Sequence, residues 1–176
     1  MNKIERRGTN MHLFYKQTLQ LLDTELDRIH IALDRLSHEQ IWKKGRESTN
    51  SIGNLCLHLA GNEYQNVVSA IGSKPFVRER SAEFLAMGSY TSAQLRERLF
   101  DVRAQSRQVI EKLTEEDFHR EVTIAYPPGA GIASYQKTIM ELLYHTTSHY
   151  SYHTGQIVYM TRILQEGDEH LLRWKH

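Results

Sequence analysis

Apolar residues recur along the chain at helical spacing in four long stretches, and polar or turn-forming residues separate them. From about Asn10 to Leu36 the positions Leu19, Leu22, Leu26, Ile29, Leu33 and Leu36 follow one another at 3-4-3-4-3 intervals, the seam of a bundle helix. Ser37-His38-Glu39-Gln40 has capping-box form and predicts a single helical turn through Trp42. A second helix is predicted from Asn50 or Ser51, with Ile52, Leu55, His58 or Leu59, and Asn62 down one face. Gly72 is its expected C-terminal glycine, Pro75 follows, and Gly61 inside it leaves room for a neighbouring backbone to come close. Residues 73–90 read as a loop of mixed charge, with Phe84, Leu85 and Met87 as an apolar tether.

Thr91-Ser92-Ala93-Gln94 opens a third helix, whose seam is Leu95, Leu99, Val102, Ser106, Val109 and Leu113. Thr114 to Asp117 repeats the start signal for a short turn. Val122 to Tyr126 alternates like a brief strand before the turn residues Pro127-Pro128-Gly129. The fourth helix is predicted from about Ser134 to Gln165, with the seam Ile139, Leu142, Thr146, His149, His153, Gln156, Met160 and Ile163. The last eleven residues, with Leu171, Leu172 and Trp174, are expected to pack on the body or on a second subunit. No β-rich run alternates with the helices. The expected fold is therefore an all-α four-helix bundle, a single domain over residues 1–176, with its long connection between the second and third helices.

Composition narrows the partners. Apolar residues are 40% of the chain, charged residues 24%, and the net charge is +1. This balance gives no electrostatic reason to expect a nucleic acid or an anionic membrane as partner. The apolar runs are too short to span a bilayer, and the polar, basic first residues do not resemble a signal peptide. Cys56 is the one cysteine, so no internal disulfide can form, and the cytoplasm is the expected compartment.

The chemistry lies in the histidines. His149 and His153 stand four residues apart on a predicted helix, offset by only about 40°, so both rings can reach one point. His58 interrupts the apolar run Leu55-Cys56-Leu57-His58-Leu59 on the second helix. Three neutral imidazoles from two helices can hold one divalent metal and leave a coordination position open. The same pattern also fits hydrogen-bonded core histidines. A zinc-peptidase helix is excluded, since Tyr150 stands where that motif needs glutamate.

The neighbouring residues carry weaker signals. His145 is one turn further back and reads as a second-layer or surface residue, because three successive steps drift around the helix. Glu63, about 140° from His58, points away from the site. Asn62 either lines the site or bonds a neighbouring helix. Gln156 either orients a ligand or bonds a backbone carbonyl. Cys56 reads as a small buried hydrophobe, and Tyr152 as a packing residue that could present its hydroxyl beside His153.

The segments Asn54 to Asn62 and Leu142 to Ile157, above all His149-Tyr150-Ser151-Tyr152-His153-Thr154-Gly155-Gln156-Ile157, resemble the DinB/YfiT-like superfamily. The resemblance extends over nearly the whole chain. It implies a four-helix bundle, often dimeric, with a metal, usually zinc or nickel, on positions matching His58, His149 and His153. Relatives of that kind include transferases using bacillithiol, mycothiol or glutathione, and a maleylpyruvate isomerase. The expected function is a metal-dependent enzyme acting on a small-molecule substrate, a low-molecular-weight-thiol S-transferase or related hydrolase. The alternative is a non-catalytic structural or regulatory bundle locked by its metal. No catalytic residue beyond the metal ligands can be named, and the expected assembly is a homodimer.

Overall fold

The computed structural model describes residues 11–126 and 131–172. Helix α1, Leu13–Asp34, buries Leu19, Leu22, Leu26, Ile29 and Leu33, the seam the spacing predicts. Ser37 and Gln40 exchange reciprocal cap bonds to start the short α2, His38–Trp42. Ser51 and Asn54 do the same for α3, Ile52–Glu63, which continues as a wider-wound turn over Tyr64–Ile71. Helix α4, Arg80–Leu85, lies inside the stretch expected to be all loop. Helix α5, Ser92–Ile110, starts at the predicted Thr91 box, and α6, Ile139–Leu164, completes the set.

Helix α1 packs on α5 and α6, and α3 packs on the same two, so α1 and α3 lie diagonally across a four-helix bundle. This arrangement makes α3 and α6, the two histidine-bearing helices, neighbours. The connection between the second and third bundle helices folds back through α4 onto α3. No helix among the described residues is long and apolar enough to cross a membrane.

Four further expectations about the elements need correcting. Helix α6 begins at Ile139, not near Ser134, because Thr138 caps it through a box with Glu141. The preceding residues Tyr135–Thr138 form strand β2, which pairs antiparallel with β1, Glu121–Ile124, and satisfies its backbone groups. Gly72 has an ordinary right-handed backbone, φ −82°, and the left-handed residue is Ser73, φ 54°. Gly72 is required for space instead: a Cβ there would come within 2.6 Å of both the Val68 carbonyl oxygen and Val109 Cγ2. Leu85 and Met87 tether nothing and stand exposed.

The fourth correction concerns the face of α6. Its core stripe is Leu142, Leu143, Thr146, Thr147, Tyr150, Thr154, Ile157 and Thr161, whereas Ile163 is 64% exposed. His149, His153 and Gln156 flank this stripe half-buried rather than occupying its centre. The cause is the threonines. Thr146 donates to the Leu142 carbonyl at 2.7 Å, Thr147 to the Tyr144 carbonyl at 2.8 Å and Thr161 to the Ile157 carbonyl at 2.8 Å, so three of the stripe's four threonines pair their hydroxyls within the helix. Leu171 packs back on the bundle core, while Trp174 and Pro127-Pro128-Gly129 lie outside the described residues.

Candidate metal centre

His58 sits on the face of α3 turned to α6, and the rings of His149 and His153 come to it from one turn of α6. Ring centroids lie 4.9 Å apart for His58 and His149, 5.0 Å for His58 and His153, and 4.5 Å for His149 and His153. One nitrogen from each ring lies within 4.8 Å of the other two. The Nε2 atoms of His58 and His149 are 3.1 Å apart, close to the ~3.3 Å expected between tetrahedral ligands bonded at about 2.0 Å.

Each outer nitrogen bears on whether a cation fits. His58 Nδ1 lies 3.1 Å from Glu83 Oε2, so its proton faces a carboxylate and the Nε2 lone pair faces the other histidines. His153 Nδ1 lies 2.7 Å from the Gln156 amide oxygen, an acceptor that favours the same tautomer. His149 Nδ1 is buried and finds no partner among the described residues. A buried imidazole left half-satisfied is costly. Two rings with their inner lone pairs already freed, and a third facing them, match the donor set a divalent metal takes.

Burial holds the two α6 rings, His149 and His153, neutral. Burial first, then the charges of His153, His58, His145 and Arg78, pushes the His149 pKa down to about 3. Burial also lowers that of His153, with the His58 charge adding to it and the Gln156 hydrogen bond opposing. Glu83 behaves the other way. Burial alone would raise its pKa, but hydrogen bonds from Arg78 and His58 and the Arg78 charge outweigh that and hold it below the usual carboxylate range. Arg78 grips both oxygens, Nε to Oε1 at 2.7 Å and Nη2 to Oε2 at 2.8 Å. Its Nη1 donates to Gln65 Oε1 at 2.7 Å, and Gln65 donates in turn to the Ala125 carbonyl. The 3.0 Å approach of Arg78 Nη2 to His58 Nδ1 follows from both donors sharing Glu83 Oε2.

The family profile described as "Protein of unknown function (DUF1572)" matches residues 11–174. The chain belongs to the DUF1572 family. Its fold is DinB-like. A DinB-like protein from Bacillus cereus ATCC 10987 superposes with a TM-score of 0.63 at 15% identity, covering 84% of this chain and 91% of that one. A conserved protein from Enterococcus faecalis gives 0.62 at 14% identity, covering 85% and 95%. No functionally curated protein matches.

In this DUF1572 chain the three predicted histidines thus meet, and the other candidates settle into separate roles. His145 is exposed and stacks on His149, with centroids 6.0 Å apart, outside the nitrogen cluster. Glu63 does point away. Asn62 accepts a hydrogen bond from Asn66, whose amide also donates to Thr146 on α6. Gln156 orients His153 rather than bonding a backbone carbonyl. Cys56 is buried, its thiol pushed up to about 12 by that burial, as befits a small hydrophobe. Tyr152 stands exposed, its ring 5.0 Å from that of His153.

Glu83, Arg78 and Gln65 were not legible as site residues, and Arg78 reads in sequence as one charge in a loop. Gly61 carried a signal. A Cβ at Gly61 would collide with the Glu83 carboxylate and with Arg78, so the glycine clears space for side chains rather than for a neighbouring backbone. A cavity of about 700 Å³ opens behind Arg78 and Glu83, lined by Leu57, Ala60 and Tyr64 and by residues of α5, and none of the three histidines borders it. The half-buried histidines instead reach the surface on the α6 side, beside His145 and Tyr152.

Proposed function

We propose that His58, His149 and His153 bind one divalent cation, zinc or nickel, and that the protein is a metal-dependent enzyme acting on a small molecule. The observation that supports this most is the pairing of the outer nitrogens: Glu83 Oε2 lies 3.1 Å from His58 Nδ1 and Gln156 Oε1 lies 2.7 Å from His153 Nδ1, acceptors that favour the proton on Nδ1 and the lone pair on the inner nitrogen. A dication on three neutral ligands supplies a full double charge that lowers the pKa of a bound thiol or water. The chain's own groups do the rest. Glu83 and Gln156 fix ring orientation, burial keeps His149 unprotonated, and Phe84, its ring 4.9 Å from that of His58, walls one side.

The reaction class we favour is transfer of a low-molecular-weight thiol's sulfur to an electrophilic carbon. A carbon–sulfur bond forms, the leaving group departs with its bonding pair, and the thiol proton passes to solvent. Hydrolysis is the same site's second option, with water in place of the thiol. Helix α6 carries no Asp, Glu, Lys or Arg between Glu141 and Arg162, so the helix itself places no charged side chain beside its two ligands. A carboxylate as fourth ligand would favour the purely structural alternative, but Glu83 faces the outer nitrogen of His58 and stays outside the ligand group. The homodimer implied by the DinB-like resemblance belongs to the same proposal, and sedimentation tests it.

The test is bound metal per chain in protein purified without an affinity tag, for wild type and for His58→Ala, His149→Ala and His153→Ala. Near-stoichiometric zinc or nickel that falls in all three variants supports the site, and a screen of thiols with electrophiles then separates transfer from hydrolysis. Wild type that stays metal-free after incubation with zinc or nickel removes the proposal. Stability lost on chelation, with no turnover of any thiol or ester, favours the structural bundle.

A further inference from the structure

One face of α3 is given over to the segment 78–86. Asn54, His58 and Gly61, at i, i+4 and i+7, share that face. The Asn54 side-chain amide donates to the Glu83 and Ala86 carbonyls, each at 2.9 Å, and so pins the backbone of α4 and its end. One turn on, His58 meets the Glu83 carboxylate, and Gly61 leaves the gap that the carboxylate fills. Arg78 closes the arrangement from the outer side through its two-pronged grip. Much of the rest of the segment faces solvent: Glu79, Arg80, Ser81, Ala82 and Leu85 are exposed.

We infer that Glu83 is a positioning residue for His58, held in place by Arg78 and admitted by Gly61, and that metal binding and docking of the 78–86 segment reinforce each other. The inference rests on the metal reading above. When His58 Nε2 is a ligand, its Nδ1–H becomes a stronger donor, and the Glu83 carboxylate is the acceptor that stabilises it. Linkage then makes the effect mutual: whatever Glu83 contributes to metal affinity, the metal returns as tighter docking of the segment that carries Glu83. The buried Arg78 and Gln65 extend the hold to the β-hairpin through the Ala125 carbonyl.

Gly61→Ala is the sharpest probe, because it removes no charge and no ligand, and alanine is the better helix former. Zinc affinity is measured by competition titration for wild type, His58→Ala, Glu83→Gln, Glu83→Ala, Gly61→Ala and the Gly61→Ala/Glu83→Ala pair. Gly61→Ala is expected to lose about 10–100-fold. Glu83→Ala should lose at least as much, and Glu83→Gln, which keeps an acceptor oxygen, less. In the Glu83→Ala background Gly61→Ala should add nothing, whereas general damage to the helix would persist. Hydrogen exchange over residues 78–86 should slow on zinc addition in wild type but not in Glu83→Ala. If Gly61→Ala and Glu83→Ala bind zinc like wild type while His58→Ala does not, this inference falls and the metal site stands. If His58→Ala also binds like wild type, both fall.

Discussion

Arg103 holds Glu63 through both carboxylate oxygens, Nε to Oε1 at 2.7 Å and Nη2 to Oε2 at 3.0 Å, between α5 and α3 in the bundle interior. Glu63 is 0% and Arg103 3% exposed, and the guanidinium lies 4.9 Å from the centre of the Tyr150 ring. Burial would lower the Arg103 pKa, but the Glu63 charge outweighs it and raises it further. The pair belongs to the scaffold, because Glu63 leaves α3 on a different face from His58.

Breaking the pair is therefore expected to be expensive. Glu63→Ala leaves the buried guanidinium with a 3.4 Å contact to Asp23 in place of its two-pronged bond and should cost about 3–5 kcal/mol. Replacing both partners with methionine should recover most of that loss. Urea unfolding of the single and double variants checks this, and a single variant within about 1 kcal/mol of wild type would contradict the burial argument.

Gln156 acts on the site through His153. Gln156→Leu removes the acceptor from His153 Nδ1 and should weaken zinc binding by about 10–100-fold. Gln156→Glu should hold affinity or raise it, since a carboxylate accepts that proton more strongly. Competition titration with a chromogenic chelator distinguishes the two directions.

His145 makes a contrasting control. It stacks on His149 but offers no nitrogen to the cluster. His145→Ala should keep full metal stoichiometry, with an affinity within about threefold of wild type because only a ring contact is lost. His153→Ala should lose most of the bound metal. Equal losses in the two variants would mean that the ligand set is drawn wrongly.

Acid should destabilise the metal-free protein. Burial is the first cause of lowered pKa values at His30, His145, His149 and His153. Their unfolded counterparts titrate near 6.5. Below that value the unfolded chain takes up protons that the folded chain refuses, so stability falls as pH drops from about 6.5 towards the folded pKa values. The thermal midpoint measured between about pH 7.5 and pH 5.5 should decline, and His30→Leu should make the decline shallower. A flat or rising midpoint would reject the assignment.

The seam of α1 and the boxes at Ser37 and Thr91 could be read from sequence because each depends on residues three or four apart. The three histidines were legible for the same reason, each set in a regular apolar helix. The start of α6 was not, since Thr138 and Glu141 were absorbed into a longer periodic pattern while β2 forms only through its distant partner β1. The core stripe of α6 was misplaced because Thr147, Thr154 and Thr161 count as polar in a hydropathy pattern and yet are buried. Glu83 comes to His58 from 25 residues away, across a connection with no periodicity, and only the folded chain brings them together.

The wide turn over Tyr64–Ile71 has a consequence for how the chain length can vary. Such a turn holds one residue more than an α-turn does. Removing a single residue there relaxes it to ordinary winding while the parts on either side keep their facing. The same deletion one turn earlier would swing everything that follows by about 100°. His58 lies before the wide turn and Ser73 after it, so this stretch lets length change without disturbing either the ligand or the loop that follows.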